Sequence, residues 1–182
     1  MDINQFTAEV NAVNWHCFSG PEHYRPESVP AALISLALAQ ESKESLDNFK
    51  DMDFGFLSQE RDLLLNSSIA SDVKFSVGND HSGSYYPAVR MALPFIIHVS
   101  LFGNHLVARN CAINILIDLY YHCPDCTGTD VDPEELQKFL RGTIKKTIVE
   151  NAENFRQFAI ENEGNDSLIK SLLGIVEPNE VE

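Results

Sequence analysis

The chain has 182 residues, of which 44% are hydrophobic, and a formal net charge of −14 at pH 7. A single domain of this size can bury a core unaided, and the four cysteines, Cys17, Cys111, Cys123 and Cys126, are too sparse for a disulfide framework. Such an acidic chain repels nucleic acid and anionic lipid, which excludes both as expected partners and favours a basic protein. No apolar run approaches the roughly 18 residues of a membrane span, and the polar start is unlike a secretory signal, so we expect a cytoplasmic protein.

Helical periodicity dominates the first part of the chain, and strand signals are few. The stretch SVPAALISLALAQ predicts a helix with Pro30 in its first turn, and ESLDNFKDMDFGFLSQERDLLL predicts one or two more, with a break at Gly55. The next stretch, SDVKFSVGNDHSGSYYP, alternates briefly and then becomes rich in turn residues. We therefore expect a long central loop over about residues 70–86.

The second part of the chain predicts four further helices. Pro94 lies inside the first, PAVRMALPFIIHVSLF, and the second, HLVARNCAINILIDLYYH, is apolar almost all round and should be central. A capping signal at Asp132, Pro133 and Glu135 opens the third, which we expect to continue to about Asn162. A short helix, DSLIKSLLGIV, follows. The prediction is one all-α domain over residues 1–182, either a short α-solenoid or an irregular helical bundle.

The pair MALPFIIHVSLFGNHLVARNCAINILIDLY resembles a HEAT-type repeat. Its first helix contains a proline, Pro94, and its second carries Arg109 in the first turns, before a small and apolar run. HEAT turns usually offer an aspartate to that arginine, whereas this turn has Asn104. The resemblance implies a HEAT-like stack of helices, and the asparagine weakens the expectation of an arginine clamp.

A broader resemblance covers most of the chain. The run YRPESVPAALISLALA, the stretch GNDHSGSYYPAVRMALPFI and the apolar helix after them look like a group of bacterial HEAT-like proteins. That group is thought to include immunity proteins of polymorphic toxin systems, among them contact-dependent growth inhibition. The resemblance implies a protein without an enzymatic activity or cofactor of its own, which binds one cognate toxin domain and blocks its active site.

The stretch DHSGSYYP places the three residue types of a serine hydrolase side by side, at Asp80, His81 and Ser82. Adjacent residues point their side chains apart, and no GxSxG elbow surrounds a serine, so a structural turn is the better interpretation. Because long loops often carry function, Asp80 and His81 are candidate partner contacts. Tyr85 and Tyr86 either anchor the loop or face the partner as well.

The stretch HCPDC is the best candidate for a metal site. Cys123 and Cys126 have the spacing at which two thiolates grip one zinc ion, and His122 is adjacent. Structural zinc needs four ligands, and the sequence has no second pair of this kind. The alternative is a surface loop with two free thiols, and we expect no resident metal.

Acidic residues between positions 41 and 62 form the predicted docking face. Asp47, Asp51 and Asp53 alternate with lysine and polar residues, which is typical of a solvated helix face that could receive a basic toxin, such as a nuclease. Changing these three residues to lysine should slow association. Two other functions remain open: a helical-repeat scaffold that joins several host proteins, and a metal-dependent hydrolase that uses the cysteine loop.

Overall fold

Helices make up most of the computed structural model, which describes residues 1–40, 68–162 and 166–176. In chain order they are α1 (Ile3–Ala12), α2 (Ser28–Leu38), α3 (residues 68–76), α4 (Val89–Phe102), α5 (Leu106–Tyr121), α6 (Pro133–Glu150), α7 (Ala152–Glu161) and α8 (Asp166–Leu173). The predicted all-α fold class is confirmed. None of the helices in these ranges combines the length and apolar character needed to cross a bilayer.

The most apolar helix, α5, lies at the centre of the fold, as its sequence predicts. It packs against α2, α4, α6 and α8. Its fully buried side chains include Ile113, Ile115 and Leu116, which lie on different faces of the helix. A helix that is buried on several sides cannot show the polar stripe of a surface helix, and this explains its nearly uniform hydrophobicity.

The helix α6 begins where its capping signal predicts, but it ends earlier than expected. The Asp132 side chain accepts hydrogen bonds from the backbone N–H groups of Glu134 and Glu135, at 2.9 and 3.5 Å. The expected continuation to about Asn162 is interrupted at Asn151, which separates α6 from α7. The Asn151 backbone, with φ −121° and ψ 17°, departs from helical geometry. Its N–H and its side-chain amide both donate to the Thr147 carbonyl oxygen, at 3.1 and 2.9 Å.

The segment predicted as the start of a long loop is helical as far as residue 76. Val73 and Val77 are fully buried, whereas Phe75 between them is 42% exposed. An apolar residue at every second position is typical of a strand, in which all three side chains would share one face. In a helix, residues four apart share a face and the residue between them lies on the other side, as observed here. The predicted loop over about 70–86 is therefore corrected: α3 occupies its first part, and only the remainder is irregular or extended.

Arg109 links three helices through its guanidinium group. Its Nε donates to the Ser100 carbonyl oxygen of α4 at 3.0 Å, and one terminal nitrogen donates to Asn154 Oδ1 of α7 at 2.9 Å. The guanidinium carbon lies 3.7 Å from the centre of the Phe158 ring. This combination of planar stacking and directed hydrogen bonds is specific to arginine.

The Asp118 side chain of α5 forms an ion pair with a lysine of α3. Its Oδ2 atom lies 2.6 Å from Lys74 Nζ. The guanidinium of Arg90 in α4 lies over the Phe139 ring instead, at 4.6 Å from the ring centre. Asn104, which stands where HEAT repeats place an aspartate, accepts a hydrogen bond from the Met1 amine at 2.9 Å.

Candidate functional site

Three two-residue strands bring two distant loops together. They are β1 (Gly78–Asn79), β2 (Ser84–Tyr85) and β3 (Cys123–Pro124). The first pair is antiparallel, and the second is parallel, with Ser84 opposite Cys123 and Tyr85 opposite Pro124. The backbone N–H of Asp125 donates to the Tyr85 carbonyl oxygen at 2.7 Å. The DHSGSYYP stretch and the HCPDC stretch, which the sequence presents as separate motifs, therefore form one surface.

A groove of about 670 Å³ lies at this meeting point, and we call it the junction groove. It is lined by Ser82, Ser84, Pro124, Asp125, Cys126, Thr127, Thr129, Val131 and Pro133. Its lining is mixed: four hydroxyl groups and one carboxylate lie beside Pro124, Val131 and Pro133, and no lysine or arginine contributes to it. Such a groove can accept hydrogen bonds from a cationic or polar partner. The sequence contains no signal for this assembly, because the pairing of β2 with β3 spans the α4–α5 hairpin.

Asp80, His81 and Ser82 form a short 3₁₀ turn between β1 and β2. The Ser82 hydroxyl donates to the Asn79 carbonyl oxygen at 3.2 Å and lies 2.7 Å from the Ser84 hydroxyl. The exposed His81 ring contacts the Phe75 ring edge-on, with centroids 5.0 Å apart. The next residue, Gly83, has a φ of 62°, as expected for a tight turn. These contacts support the interpretation as a turn. The two hydrogen-bond partners of the Ser82 hydroxyl are a carbonyl oxygen and another hydroxyl, and neither can act as a catalytic base.

Tyr85 and Tyr86 are buried, with 1% and 4% of their surfaces exposed. Their candidate role as partner contacts is therefore corrected, and of the two roles that the sequence leaves open, anchoring fits their placement. Tyr86 packs edge-on against Tyr24, with centroids 5.8 Å apart. His81 remains available on the surface. Asp47, Asp51 and Asp53 lie outside the described residues.

Two of the buried tyrosines, Tyr24 and Tyr85, differ in whether the hydroxyl forms a hydrogen bond. We therefore expect different effects on stability when each is replaced by phenylalanine. The Tyr24 hydroxyl donates to the Trp15 carbonyl oxygen at 3.2 Å, so Tyr24→Phe should cost about 1 kcal/mol of unfolding free energy. The Tyr85 hydroxyl is buried without a partner among the described residues, so Tyr85→Phe should leave stability unchanged or raise it by about 1 kcal/mol. Urea unfolding at pH 7 measures both, and equal losses would contradict the difference.

The same two hydroxyls predict a loss of stability at alkaline pH. Burial, as the largest cause, raises the pKa of Tyr24 and of Tyr85 from 10.0 to about 12. A group whose pKa is raised by folding stabilises the protein below the unfolded pKa and loses that contribution as the pH rises through the folded pKa. Unfolding free energy should therefore fall between pH 10 and 12, and less steeply in either phenylalanine variant.

The cysteine loop does not assemble a metal site. Within residues 1–40, 68–162 and 166–176, no group of three or more His, Cys, Asp or Glu side chains is placed to hold a metal ion. The weak zinc candidate of His122, Cys123 and Cys126 therefore receives no support from the geometry. The His122 ring packs against Gly83, and Cys123 Sγ accepts a weak contact from Gln137 Nε2 at 3.9 Å.

Thiol reactivity should separate the four cysteines. Cys17 and Cys123 are exposed, whereas Cys111 is fully buried, and burial raises its pKa to about 12. Burial also raises the pKa of the half-buried Cys126, with a further contribution from Asp125. Because the thiolate is the reactive form, iodoacetamide at pH 8 should label Cys17 and Cys123 first, Cys126 more slowly and Cys111 only after unfolding. Peptide mass spectrometry over time gives the order, and early labelling of Cys111 would show that α5 is not buried as described.

Comparison with known proteins yields no match among family models, curated proteins or solved structures.

Proposed function

We propose that this chain is an immunity protein that binds a basic toxin domain, such as a nuclease, and blocks its active site sterically. The observation that carries the proposal is the charge around the junction groove. Residues 122–137 contain five acids and no lysine or arginine. Asp125 lines the groove, and the other four lie within two positions of the lining residues Thr129, Val131 and Pro133 in sequence. We call all five the groove acids: Asp125, Asp130, Asp132, Glu134 and Glu135. A basic surface that approached this side of the molecule would meet carboxylates and hydroxyls together.

The backbone around the groove is held in place before any partner arrives. The Asp125 N–H binds the Tyr85 carbonyl oxygen, and the Thr129 N–H and hydroxyl both bind the Cys126 carbonyl oxygen, at 3.1 and 2.8 Å. Ordering a loop on binding costs free energy, so a loop that is already ordered favours affinity. Asp132 caps α6, and Asp125 Oδ1 accepts a hydrogen bond from the Thr127 N–H at 3.1 Å, so both carboxylates are partly engaged. The other three acids, Asp130, Glu134 and Glu135, are exposed and available to a partner.

The resemblance of the chain to bacterial HEAT-like immunity proteins supports the same function. An inhibitor of this kind needs no catalytic group, and Ser82 has its hydroxyl bound to a backbone carbonyl oxygen and to another serine. Long-range attraction between an acidic inhibitor and a basic toxin speeds association and weakens as salt rises. His81 on the adjoining turn and the acids Asp47, Asp51 and Asp53 are further contact candidates in this proposal.

The proposal is tested by affinity capture from a lysate of the producing bacterium, with the protein as bait and mass spectrometry for identification. We expect one basic toxin domain in a one-to-one amount. The bait variant Asp130→Lys/Glu134→Lys reverses two exposed groove acids and should reduce the association rate by about tenfold or more at low salt. The captured domain should also regain toxicity in the presence of this variant.

A matched control reverses Glu150, the last residue of α6, and Glu153, in the first turn of α7. Glu150→Lys/Glu153→Lys changes the net charge by the same amount, at side chains that are 59% and 87% exposed. This control should keep most of the association rate of the parent protein, because it leaves all five groove acids unchanged. Equal loss in both variants would show that total charge, and not the groove, drives binding. Recovery of several unrelated host proteins, or of none, would contradict the immunity function and favour the scaffold function.

A further inference from the structure

A second concave surface lies between α1 and α4, far in sequence from the junction groove. Three rings contact one another there: Phe6 and His98 are stacked, with centroids 6.0 Å apart at an interplanar angle of 29°, and His98 and Phe102 are tilted at 54°, with centroids 5.2 Å apart. Phe102 is 51% exposed and His98 is exposed, so this group of rings reaches the surface. It opens on a cavity of about 360 Å³, lined by Met1, Asp2, Gln5, Phe6, Glu9, His98 and Phe102. We call this cavity the aromatic pocket.

The sequence of α1 positions the two acids of the pocket. Asp2 caps the helix through bonds to the N–H groups of Asn4 and Gln5, at 2.9 and 3.2 Å. Glu9 lies one turn after Gln5, and its Oε1 accepts a hydrogen bond from the Gln5 side-chain amide at 2.8 Å. This bond fixes the carboxylate on the pocket side of α1 and leaves its second oxygen available to a ligand.

Elsewhere in this molecule, aromatic rings of this kind carry a cation from the same chain. The pairs are Arg90 over Phe139 at 4.6 Å, Arg109 over Phe158 at 3.7 Å, and Arg141 and Lys145 over Tyr120, each at 5.6 Å. The negative face of an aromatic ring attracts a guanidinium or ammonium group. The aromatic pocket has exposed rings and two carboxylates, but its lining includes no lysine or arginine.

We infer that the aromatic pocket binds an arginine side chain of a basic partner protein. The charge of the lining supports this occupant, because it has two carboxylates against one ammonium, the Met1 amine, which is bound to Asn104 Oδ1. The guanidinium would stack on the exposed rings while the free oxygen of Glu9 accepts its N–H groups. A purely apolar side chain would leave the excess negative charge of the lining unbalanced. The inference requires a basic partner but does not require that the partner be a toxin.

The test uses a small probe and therefore does not depend on finding the partner. Nα-acetyl-arginine methylamide is titrated into the full chain, and chemical shifts of backbone amides and of the His98 ring are followed by NMR. The citrulline analogue has nearly the same shape without the charge and is titrated in parallel. We expect saturable shifts confined to α1 and the end of α4 for arginine, and at least fivefold weaker binding for citrulline.

Two variants assign the binding to the pocket. Phe102→Ala removes the exposed ring and Glu9→Gln removes the charge, and each should weaken arginine binding by about two- to fivefold. The chain provides matched controls: Phe75 is also an exposed ring in contact with an exposed histidine, His81, and Glu161 also accepts a bond from a glutamine one turn earlier. Phe75→Ala and Glu161→Gln should leave the affinity unchanged. The inference would be overturned by equal citrulline binding, by shifts elsewhere only, or by no shifts at all.

Discussion

Replacing Gly78 with alanine should destabilise the protein by about 3 kcal/mol or more. A Cβ atom at this position would overlap the Ser84 carbonyl oxygen and lie 2.8 Å from the Tyr85 Cα. Both neighbours are backbone atoms of β2, so neither can move without breaking the pairing of β1 with β2. The junction groove should be lost together with this pairing, because β2 also holds β3 in register.

The measurement is urea unfolding of Gly78→Ala beside Gly142→Ala. Gly142 lies inside α6, and a Cβ there would meet nothing within 4 Å. Alanine is the better helix former, so this control should gain about 0.5–1 kcal/mol. A Gly78→Ala variant as stable as the parent would show that β1 and β2 are not paired as described.

Replacing Phe155 with alanine should cost about 3–5 kcal/mol of unfolding free energy. Phe155 and Phe158 are the two buried side chains of α7, and Phe155 is fully inaccessible to solvent. Removing its ring leaves a cavity that the surrounding helices can fill only in part. Since Arg109 also holds α7 through Asn154 and Phe158, the helix should stay attached but pack less firmly.

A second substitution on the same helix serves as the control. Ile160 is 73% exposed, so Ile160→Ala should change the unfolding free energy by no more than about 0.5 kcal/mol. Urea unfolding gives both values, and the slope of the transition should be similar for the two variants. Comparable losses of unfolding free energy at positions 155 and 160 would show that α7 does not bury the face that carries Phe155 and Phe158.

Local patterns in the sequence predict the helices well where one signal dominates. The uniform hydrophobicity of α5 predicts its central place, and Asp132 with Pro133 predicts the start of α6. The prediction fails where a short pattern fits two structures, or where one residue departs from helical geometry inside a helical pattern. Val73 and Val77 fit either a strand or a helix, and the backbone of Asn151 leaves helical geometry although its N–H still bonds to the Thr147 carbonyl oxygen.

The functional surfaces depend on contacts between distant residues, which a single sequence does not reveal. The parallel pairing of Ser84 with Cys123 creates the junction groove, and neither motif specifies the other. The same holds for Asp118 and its partner Lys74. Lys74 lies in α3, where the alternating apolar residues predict an extended segment instead of a helix. Exposure is also a tertiary property: Tyr85 and Tyr86 look like partner contacts in a turn-rich stretch, yet the fold buries both.

The parallel pairing of β2 with β3 has a consequence for the order of folding. The two strands can meet only after the α4–α5 hairpin between them has turned the chain back. Closing so long a loop costs chain entropy, and two residue pairs offset little of that cost. We expect the strands to join late and to separate first when the protein unfolds. Gly78→Ala should then accelerate unfolding far more than it slows refolding, and amide protons at Asp125 should exchange sooner than those in α5.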